Sequence, residues 1–136
     1  LTELLQLKEL WKKRQHYFVT NKRMNSAELA KKEKVYFVVC PARQTLKFIK
    51  NFFQALKIFL KERPDIVIST GADTAVATCL LAKLFGKKLI FIESFCRIDR
   101  PSLSGKMLYG FADKFFVQWP TMKIFFKKAE YAGSVF

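Results

Sequence analysis

Hydrophobic and polar positions predict a strand, a turn, a helix and a second strand in the middle of the chain. Residues 65–69 form a short apolar run rich in β-branched side chains, which is typical of a strand buried on both faces. Gly71 predicts a turn because glycine adopts positive φ without a Cβ clash. Small and apolar residues over 75–85 predict a helix that packs on a sheet, and 88–92 reads as a second buried strand. Two parallel strands joined through a helix form a right-handed βαβ unit.

The remaining pattern repeats this alternation of helices and strands. Further predicted helices cover 2–14, 25–33, 45–61 and 104–112, with a helical turn at 121–127, and further predicted strands cover 15–20, 35–40, 114–117 and 129–131. Such alternation is typical of an α/β fold with a parallel sheet. At 136 residues the chain fits one domain, 1–136.

Polar loops follow both central strands, and open α/β sheets bind ligands at the carboxyl ends of their strands. The candidate binding residues in these loops are Gly71, Ala72, Asp73, Thr74, Glu93, Ser94, Phe95 and Arg97. Asp73 or Thr74 is also a candidate helix cap. Glu93 is interpreted either as a general base for an acceptor hydroxyl or as a residue that orients loop amides. Arg97 either pairs with phosphate oxygens or is a solvated loop charge.

The helix predicted over 45–61 has an unusually wide apolar face. Its apolar residues cover about half of the helical wheel, more than a core-facing stripe requires. These residues are Leu46, Ile49, Phe52, Phe53, Leu56, Phe59 and Leu60, and the opposing side carries Lys47, Lys50, Lys57 and Lys61.

Two interpretations of this helix remain open. In one, the whole arc is buried against the sheet and a neighbouring element. In the other, the core contacts are made by Leu46, Ile49, Phe53, Leu56 and Leu60. The candidate membrane contacts are then Lys47, Phe48, Lys50, Phe52 and Phe59, because phenylalanine beside lysine suits the lipid headgroup region.

Composition adds a requirement for an anionic partner. Lys and Arg number 25 against 11 acidic residues, which gives a formal net charge of +14. The 51% hydrophobic content excludes a disordered chain. Fifteen residues are Phe. A nucleic acid explains the charge, whereas an anionic membrane surface explains both the charge and the aromatic content.

The cysteines and the single histidine argue against a metal site or a cofactor. Cys40, Cys79 and Cys96 are widely spaced and lie in or beside apolar elements, so we expect reduced, buried thiols and a cytoplasmic location. No CxxC motif is present, and His16 has no histidine partner. No apolar run reaches the roughly 18 residues of a spanning helix.

Four motifs resemble one family, namely RPDIVISTGADTAV, KLIFIESFCR, SLSGKMLYGFADKFFVQWP and YAGSVF. Over nearly its whole length the chain is similar to the membrane-associated (Alg14-like) subunit of two-component GT-B glycosyltransferases. That family includes a eukaryotic subunit that helps add the second N-acetylglucosamine to dolichol-diphosphate. It also includes bacterial enhancer subunits of capsule and exopolysaccharide galactosyl- or glucosyltransferases. The resemblance implies the amino-terminal, acceptor-binding half of a GT-B enzyme, a Rossmann-like domain.

The resemblance also implies a role without catalysis by this chain alone. On this resemblance we expect the chain to dock on the membrane as a peripheral protein, to bind a lipid-diphosphate-linked saccharide and to activate a separate catalytic subunit that binds the nucleotide sugar. The loops at Gly71 and Glu93 are then the acceptor site. The terminal residues Ser134, Val135 and Phe136 are the candidate partner contact, since similar tails in the family lie against the catalytic subunit.

One departure from the family concerns the start of the chain. Family members begin with a strand and a glycine-rich turn, whereas this sequence opens in a predicted helix at Leu1. We therefore expect the first strand to be missing and a gap to separate the strands near Tyr17 and Ile66, since the first strand is central in a doubly wound sheet.

Two other classes of function remain as alternatives. One is a self-sufficient enzyme that uses a nucleotide sugar, which requires a donor pocket within this single domain. The other is a basic nucleic-acid-binding domain, although no nucleic-acid-binding motif is present.

Overall fold

The computed structural model describes all 136 residues and shows an α/β fold. The helices are α1 (Thr2–Gln6), α2 (Lys8–Trp11), α3 (Met24–Leu29), α4 (Thr45–Glu62), α5 (Val76–Leu84) and α6 (Leu103–Leu108). The strands are β1 (Phe18–Thr20), β2 (Val35–Phe37), β3 (Ile66–Ser69), β4 (Lys88–Ile92), β5 (Lys114–Val117) and β6 (Glu130–Tyr131). Two 3₁₀ helices cover Asp73–Ala75 and Pro120–Ile124.

The strands form two parallel sheets. β1 pairs with β2, and the other four strands pair in the order β3–β4–β5–β6. The predicted βαβ unit is present as β3, α5 and β4, which confirms the α/β parallel architecture. No ladder joins β1 to β3, so a gap separates the strands near Tyr17 and Ile66, as predicted.

The core lies between the four-stranded sheet and the helices α4, α5 and α6. Phe91 of β4 stacks on Phe115 of β5 with ring centroids 4.9 Å apart, and Phe115 contacts Phe126 at 4.6 Å. Helix α5 packs against β3, β4 and α4. Its Cys79 is fully buried, and burial raises the pKa of this thiol to about 12. Cys40 is only partly buried and Cys96 is exposed, so the expectation of three buried thiols holds for Cys79 alone.

Several element boundaries differ from the predicted ones. The first helix is interrupted at Leu7, whose ψ of 24° takes it out of helical geometry. β3 is not buried on both faces, because Ile66 at its start is 48% exposed. The chain enters α5 through the 3₁₀ helix without a side-chain cap, so the expected capping by Asp73 or Thr74 is wrong.

Asp113 organises the end of the sheet opposite to the candidate site. Its carboxylate accepts a hydrogen bond from the backbone N–H of Leu89 at 2.7 Å and pairs with Lys83 at 3.1 Å. The Leu89 N–H, followed by Lys83, lowers the pKa of Asp113. This residue therefore fixes the start of β4 and has no role at the opposite edge.

No helix combines the length and the apolar character that crossing a bilayer requires.

Candidate functional site

Glu93 is the centre of the polar network at the carboxyl edge of the sheet. It follows β4 directly and is 0% exposed. Its carboxylate accepts hydrogen bonds from the backbone N–H of Ser94 at 3.0 Å, from the backbone N–H of Ser102 at 3.2 Å and from the Ser102 hydroxyl at 3.0 Å. These bonds fold the loop between β4 and α6 around one buried charge. A buried carboxylate requires such donors to offset its desolvation.

The start of α6 packs against this carboxylate. The Ser102 hydroxyl caps α6 by accepting a bond from the Gly105 N–H at 2.8 Å. A Cβ on Gly105 would lie 2.2 Å from Oε2 of Glu93, so only glycine fits there. Ser104 donates its hydroxyl proton to the carbonyl of Gly71 at 2.9 Å, which ties the loop after β3 to α6. Gly71 itself has a φ of 86°, a left-handed conformation that favours glycine.

A second carboxylate, Glu3 of α1, completes the network. It accepts hydrogen bonds from the Ser94 hydroxyl at 2.7 Å, the Phe95 N–H at 3.1 Å and the Gln118 side-chain amide at 2.8 Å. Sequence reasoning missed Glu3 and Gln118, because Glu3 lies 91 residues from Ser94 along the chain and no local pattern links them. Glu3 thus holds together α1, the loop after β4 and the segment that follows β5.

The predicted binding residues divide into exposed and buried ones. The loop residues Gly71, Ala72, Asp73, Ser94, Phe95 and Arg97 are at least partly exposed. Glu93 and Thr74 are 0% and 4% exposed, so the prediction that their side chains contact a ligand is wrong. Their buried position instead supports the backbone of the loops. The bonds from the Ser94 and Ser102 amides to the buried Glu93 favour the interpretation that this residue orients loop amides.

The lone histidine does not contribute to this edge. The ring of His16 lies between the Arg14 carbonyl, 2.7 Å from Nδ1, and the Glu33 carboxylate, 2.8 Å from Nε2. It precedes β1 and has neither a serine nor a cysteine as a hydrogen-bond partner. No cluster of metal-ligating side chains is present either.

Asn51 connects α4 to the loop after β3. Its side-chain amide donates to the carbonyl of Val39 at 2.7 Å and to the carbonyl of Thr74 at 3.3 Å, and it is 0% exposed. Gln54 of the same helix accepts a bond from the Val39 N–H at 2.9 Å. The position of α4 is therefore fixed relative to the loop that contains Gly71.

A cleft of about 240 Å³ opens beside these loops, between the start of α4, the first 3₁₀ helix and α6. Its lining residues are Pro41, Arg43, Gln44, Thr45, Phe48, Asp73, Val76, Leu103, Ser104 and Met107. Ala42 and Arg43 have φ values of 47° and 60°, left-handed conformations that turn the chain from the end of β2 into α4. This turn places Arg43 at the cleft.

Helix α4 exposes a different apolar face from the one predicted. Phe59 is 3% exposed and belongs to the core, while Phe48 and Phe52 pack against the core. The predicted membrane contact by Phe59 is therefore wrong, and Phe48 and Phe52 are at most half-exposed. The exposed apolar residues are Leu46 (82%), Ile49 (46%), Phe53 (63%) and Leu60 (52%). Lys47 and Lys50 are exposed as predicted.

The carboxyl-terminal tail lies on the same edge as the polar network. Phe136 contacts the ring of Phe95 with centroids 5.2 Å apart, and Phe95 packs on Trp119 at 5.1 Å. The Val135 N–H donates to Gln118 at 3.0 Å. Phe136 is nevertheless 61% exposed, so most of its ring is available to another surface.

Comparison with known proteins gives one family and several similar proteins. A family model described as "Oligosaccharide biosynthesis protein Alg14 like" matches residues 2–135. The UDP-N-acetylglucosamine transferase subunit of Schizosaccharomyces pombe is 47% identical over 77 residues, which cover 53% of this chain and 37% of that protein. The human subunit is 40% identical over 93 residues, covering 64% of this chain and 43% of that protein. The chain therefore matches less than half of the length of these relatives.

Proposed function

Because the chain belongs to the family of Alg14-like oligosaccharide biosynthesis proteins, we propose that it is a non-catalytic subunit of a glycosyltransferase. In this proposal it docks on the membrane, binds the lipid acceptor and activates a separate catalytic subunit that binds the nucleotide sugar. The complex transfers a sugar to a lipid-diphosphate-linked saccharide. The relatives are UDP-N-acetylglucosamine transferase subunits by name, which makes N-acetylglucosamine the proposed sugar. The proposed location is the cytoplasmic face of a membrane.

The observation that carries the proposal is the position of α4 beside the loops at the carboxyl edge. Asn51 joins this helix to the Thr74 carbonyl in the loop that contains Gly71. Asn51 is on the buried face of α4, so a membrane surface on the exposed face would lie one helix diameter, roughly 10 Å, from the candidate acceptor loops. One domain then performs both docking and acceptor binding.

The proposed membrane contact uses the exposed face of α4. Leu46, Ile49 and Phe53 are exposed apolar residues, and Lys47 and Lys50 are exposed cations of the same helix. Each lysine near an anionic surface contributes about 1 kcal/mol, and salt screens this contribution. The net charge of +14 adds long-range attraction.

The proposed acceptor contact uses the exposed residues of the two loops. The conformation of Gly71 lets the backbone approach a ligand closely, and the guanidinium group of Arg97 can pair with phosphate oxygens. Substituting Arg97→Ala should raise the acceptor concentration that the complex requires without changing vesicle binding. Normal acceptor dependence in this variant would exclude Arg97 from the site.

The proposed partner contact is the tail. Within the tail Ser134–Phe136, Val135 and Phe136 contact Gln118 and Phe95 at the carboxyl edge, where the donor-binding subunit of a two-part enzyme must approach the acceptor. Burying the exposed part of Phe136 in that interface contributes at most about 1.5–3 kcal/mol.

Vesicle flotation in competition with an oligonucleotide tests this proposal against the nucleic-acid alternative, which the positive charge also favours. The protein should float with anionic vesicles, float less at high salt, and remain on the vesicles when a single-stranded oligonucleotide is added at equal phosphate concentration. Complete displacement by the oligonucleotide would favour the alternative. Zwitterionic vesicles are the control for charge.

A further inference from the structure

We propose that the cleft between α4 and α6 binds the hydrocarbon chain of a lipid phosphate, in the segment next to the phosphate group. This inference rests on the proposed function, because it assigns a separate part of the acceptor to a separate part of the surface. The loops at Gly71 and Arg97 take the saccharide and the phosphate joined to it, while the cleft takes the lipid chain, with the phosphate joined to that chain beside Arg43.

The size of the cleft suits part of a ligand. Whole small-molecule sites in proteins occupy about 300–1,000 Å³. The volume of this cleft is about 240 Å³, below that range. A nucleotide sugar with its base, ribose, two phosphates and sugar ring does not fit, whereas a few carbon units of an extended chain do.

The lining of the cleft is suited to a hydrocarbon. Phe48, Val76, Leu103 and Met107 supply apolar walls. Methionine is an adaptable side chain that accommodates irregular apolar ligands. Leu103 and Met107 are 47% and 43% exposed, and an occupant would remove their apolar surface from water.

Charge near the cleft favours an anion on one side only. Arg43 lines the cleft and is exposed, so its guanidinium can pair with a phosphate at the entrance. Asp73 also lines the cleft and carries the opposite charge. The phosphate therefore belongs on the Arg43 side, and the apolar chain lies across the walls beyond it.

The cleft lies between the start of α4 and the acceptor loop at Gly71, the two regions that the proposed function uses. Thr45 and Phe48 in its lining belong to the first turn of α4, the helix whose exposed face carries Leu46 and Ile49. On the other side, Ser104 lines the cleft and hydrogen-bonds to the carbonyl of Gly71. A lipid chain that leaves the bilayer at the start of α4 thus reaches the acceptor loop along the apolar walls of the cleft.

Isothermal titration with farnesyl diphosphate below its micelle concentration tests the cleft, with inorganic pyrophosphate as the probe that lacks a chain. Farnesyl diphosphate should bind the wild-type chain at least tenfold more tightly than pyrophosphate. The substitution Met107→Trp narrows the cleft and should remove most of this difference, and Leu103→Trp serves as a second variant if the first fails to fold. Leu84→Trp is the matched control, because Leu84 is 75% exposed and does not line the cleft.

Equal binding of the two probes, or unchanged binding of farnesyl diphosphate to a folded Met107→Trp variant, would overturn the inference. Arg43→Ala should weaken the binding of both farnesyl diphosphate and pyrophosphate, and the ratio of their affinities should stay the same. If the reconstituted complex transfers sugar but farnesyl diphosphate binds no more tightly than pyrophosphate, the cleft assignment alone has failed. If farnesyl diphosphate does bind more tightly than pyrophosphate but no reconstituted complex transfers sugar, the proposed function has failed instead.

Discussion

Glu93 accepts two hydrogen bonds from Ser102, one from the backbone N–H at 3.2 Å and one from the hydroxyl at 3.0 Å. This pair joins the end of β4 to the start of α6 around a carboxylate that is completely buried. Hydrogen bonds to charged groups contribute about 1.5–3 kcal/mol each, and loss of the partner leaves a desolvated charge. The loops of the candidate site are therefore a rigid unit, and Glu93 has a positioning role.

Substituting Gly105→Ala should destabilise this unit. The added methyl group would lie 2.2 Å from the Glu93 carboxylate and 2.9 Å from the Ser102 hydroxyl. Overpacking of this kind costs about 1–3 kcal/mol. The matched control is Gly110→Ala, because a Cβ at Gly110 meets nothing within 4 Å. Urea unfolding measures both variants, and equal stability of the two would show that the packing around Glu93 is loose.

The contribution of His16 to stability should be lost at alkaline pH. Its two ring nitrogens face the Arg14 carbonyl and the Glu33 carboxylate, which favours the doubly protonated ring. The hydrogen bond to the Arg14 carbonyl, and then Glu33 against the opposing effect of burial, raises the pKa of His16. Because the folded pKa lies above the unfolded value of 6.5, the contribution is complete below that value and disappears as pH rises through the folded pKa.

The measurement is the urea midpoint of the wild-type chain and His16→Gln at about pH 5.5 and about pH 8.5, on either side of the histidine titration. The difference between the two proteins should be larger at the acidic pH. A difference that is equal at both values, or larger at the alkaline one, would contradict the assigned protonation.

Substitution of the exposed face of α4 should release the protein from membranes without unfolding it. Phe53→Ser removes an exposed ring whose insertion contributes about 1.5–3 kcal/mol, equivalent to a decrease in vesicle partitioning of about tenfold or more. Met24→Ser is the control, because Met24 is 89% exposed and lies outside α4. Phe59→Ser should instead lower stability by about 3–5 kcal/mol, since that ring is in the core. Undiminished flotation of Phe53→Ser would remove α4 as the docking surface.

Deletion of Ser134–Phe136 should abolish co-purification with the donor-binding subunit. The tail contributes little to the fold of the isolated chain, since Phe136 is 61% exposed and Val135 makes one backbone hydrogen bond to Gln118. Vesicle binding should therefore be retained. A truncated chain that unfolds more readily but still associates would show that the tail serves the domain's own stability. Ile124→Ser is the control for loss of an exposed apolar side chain elsewhere.

The strands were predictable where a short apolar run has sharp polar boundaries. The strands predicted at 88–92 and 114–117 are present with the same bounds as β4 and β5. The ends of helices were less predictable, because α6 stops at Leu108, four residues before the predicted end. The family resemblance is confirmed by the match over residues 2–135.

The orientation of α4 was not predictable from its sequence. Its apolar arc covers more of the wheel than the core can bury, so periodicity cannot decide which part faces inward. The structure buries Asn51, Ala55 and Phe59 and exposes Phe53. Asn51 decides this orientation through its bonds to two backbone carbonyls, and a polar residue is not counted in a hydrophobic pattern. Tertiary pairing of this kind also explains why Glu3 was missed.

The central claim is that this chain acts only together with a donor-binding subunit on a membrane. The most direct test is transfer of radiolabelled sugar from UDP-N-acetylglucosamine to a lipid-diphosphate-linked saccharide in anionic vesicles. The chain is assayed alone and together with the catalytic subunit of a relative's complex. That catalytic subunit is also assayed alone and together with a truncated chain that lacks Ser134–Phe136. The account predicts transfer only when both intact polypeptides are present. Robust transfer by this chain alone would contradict it, as would full activity of the catalytic subunit without the chain.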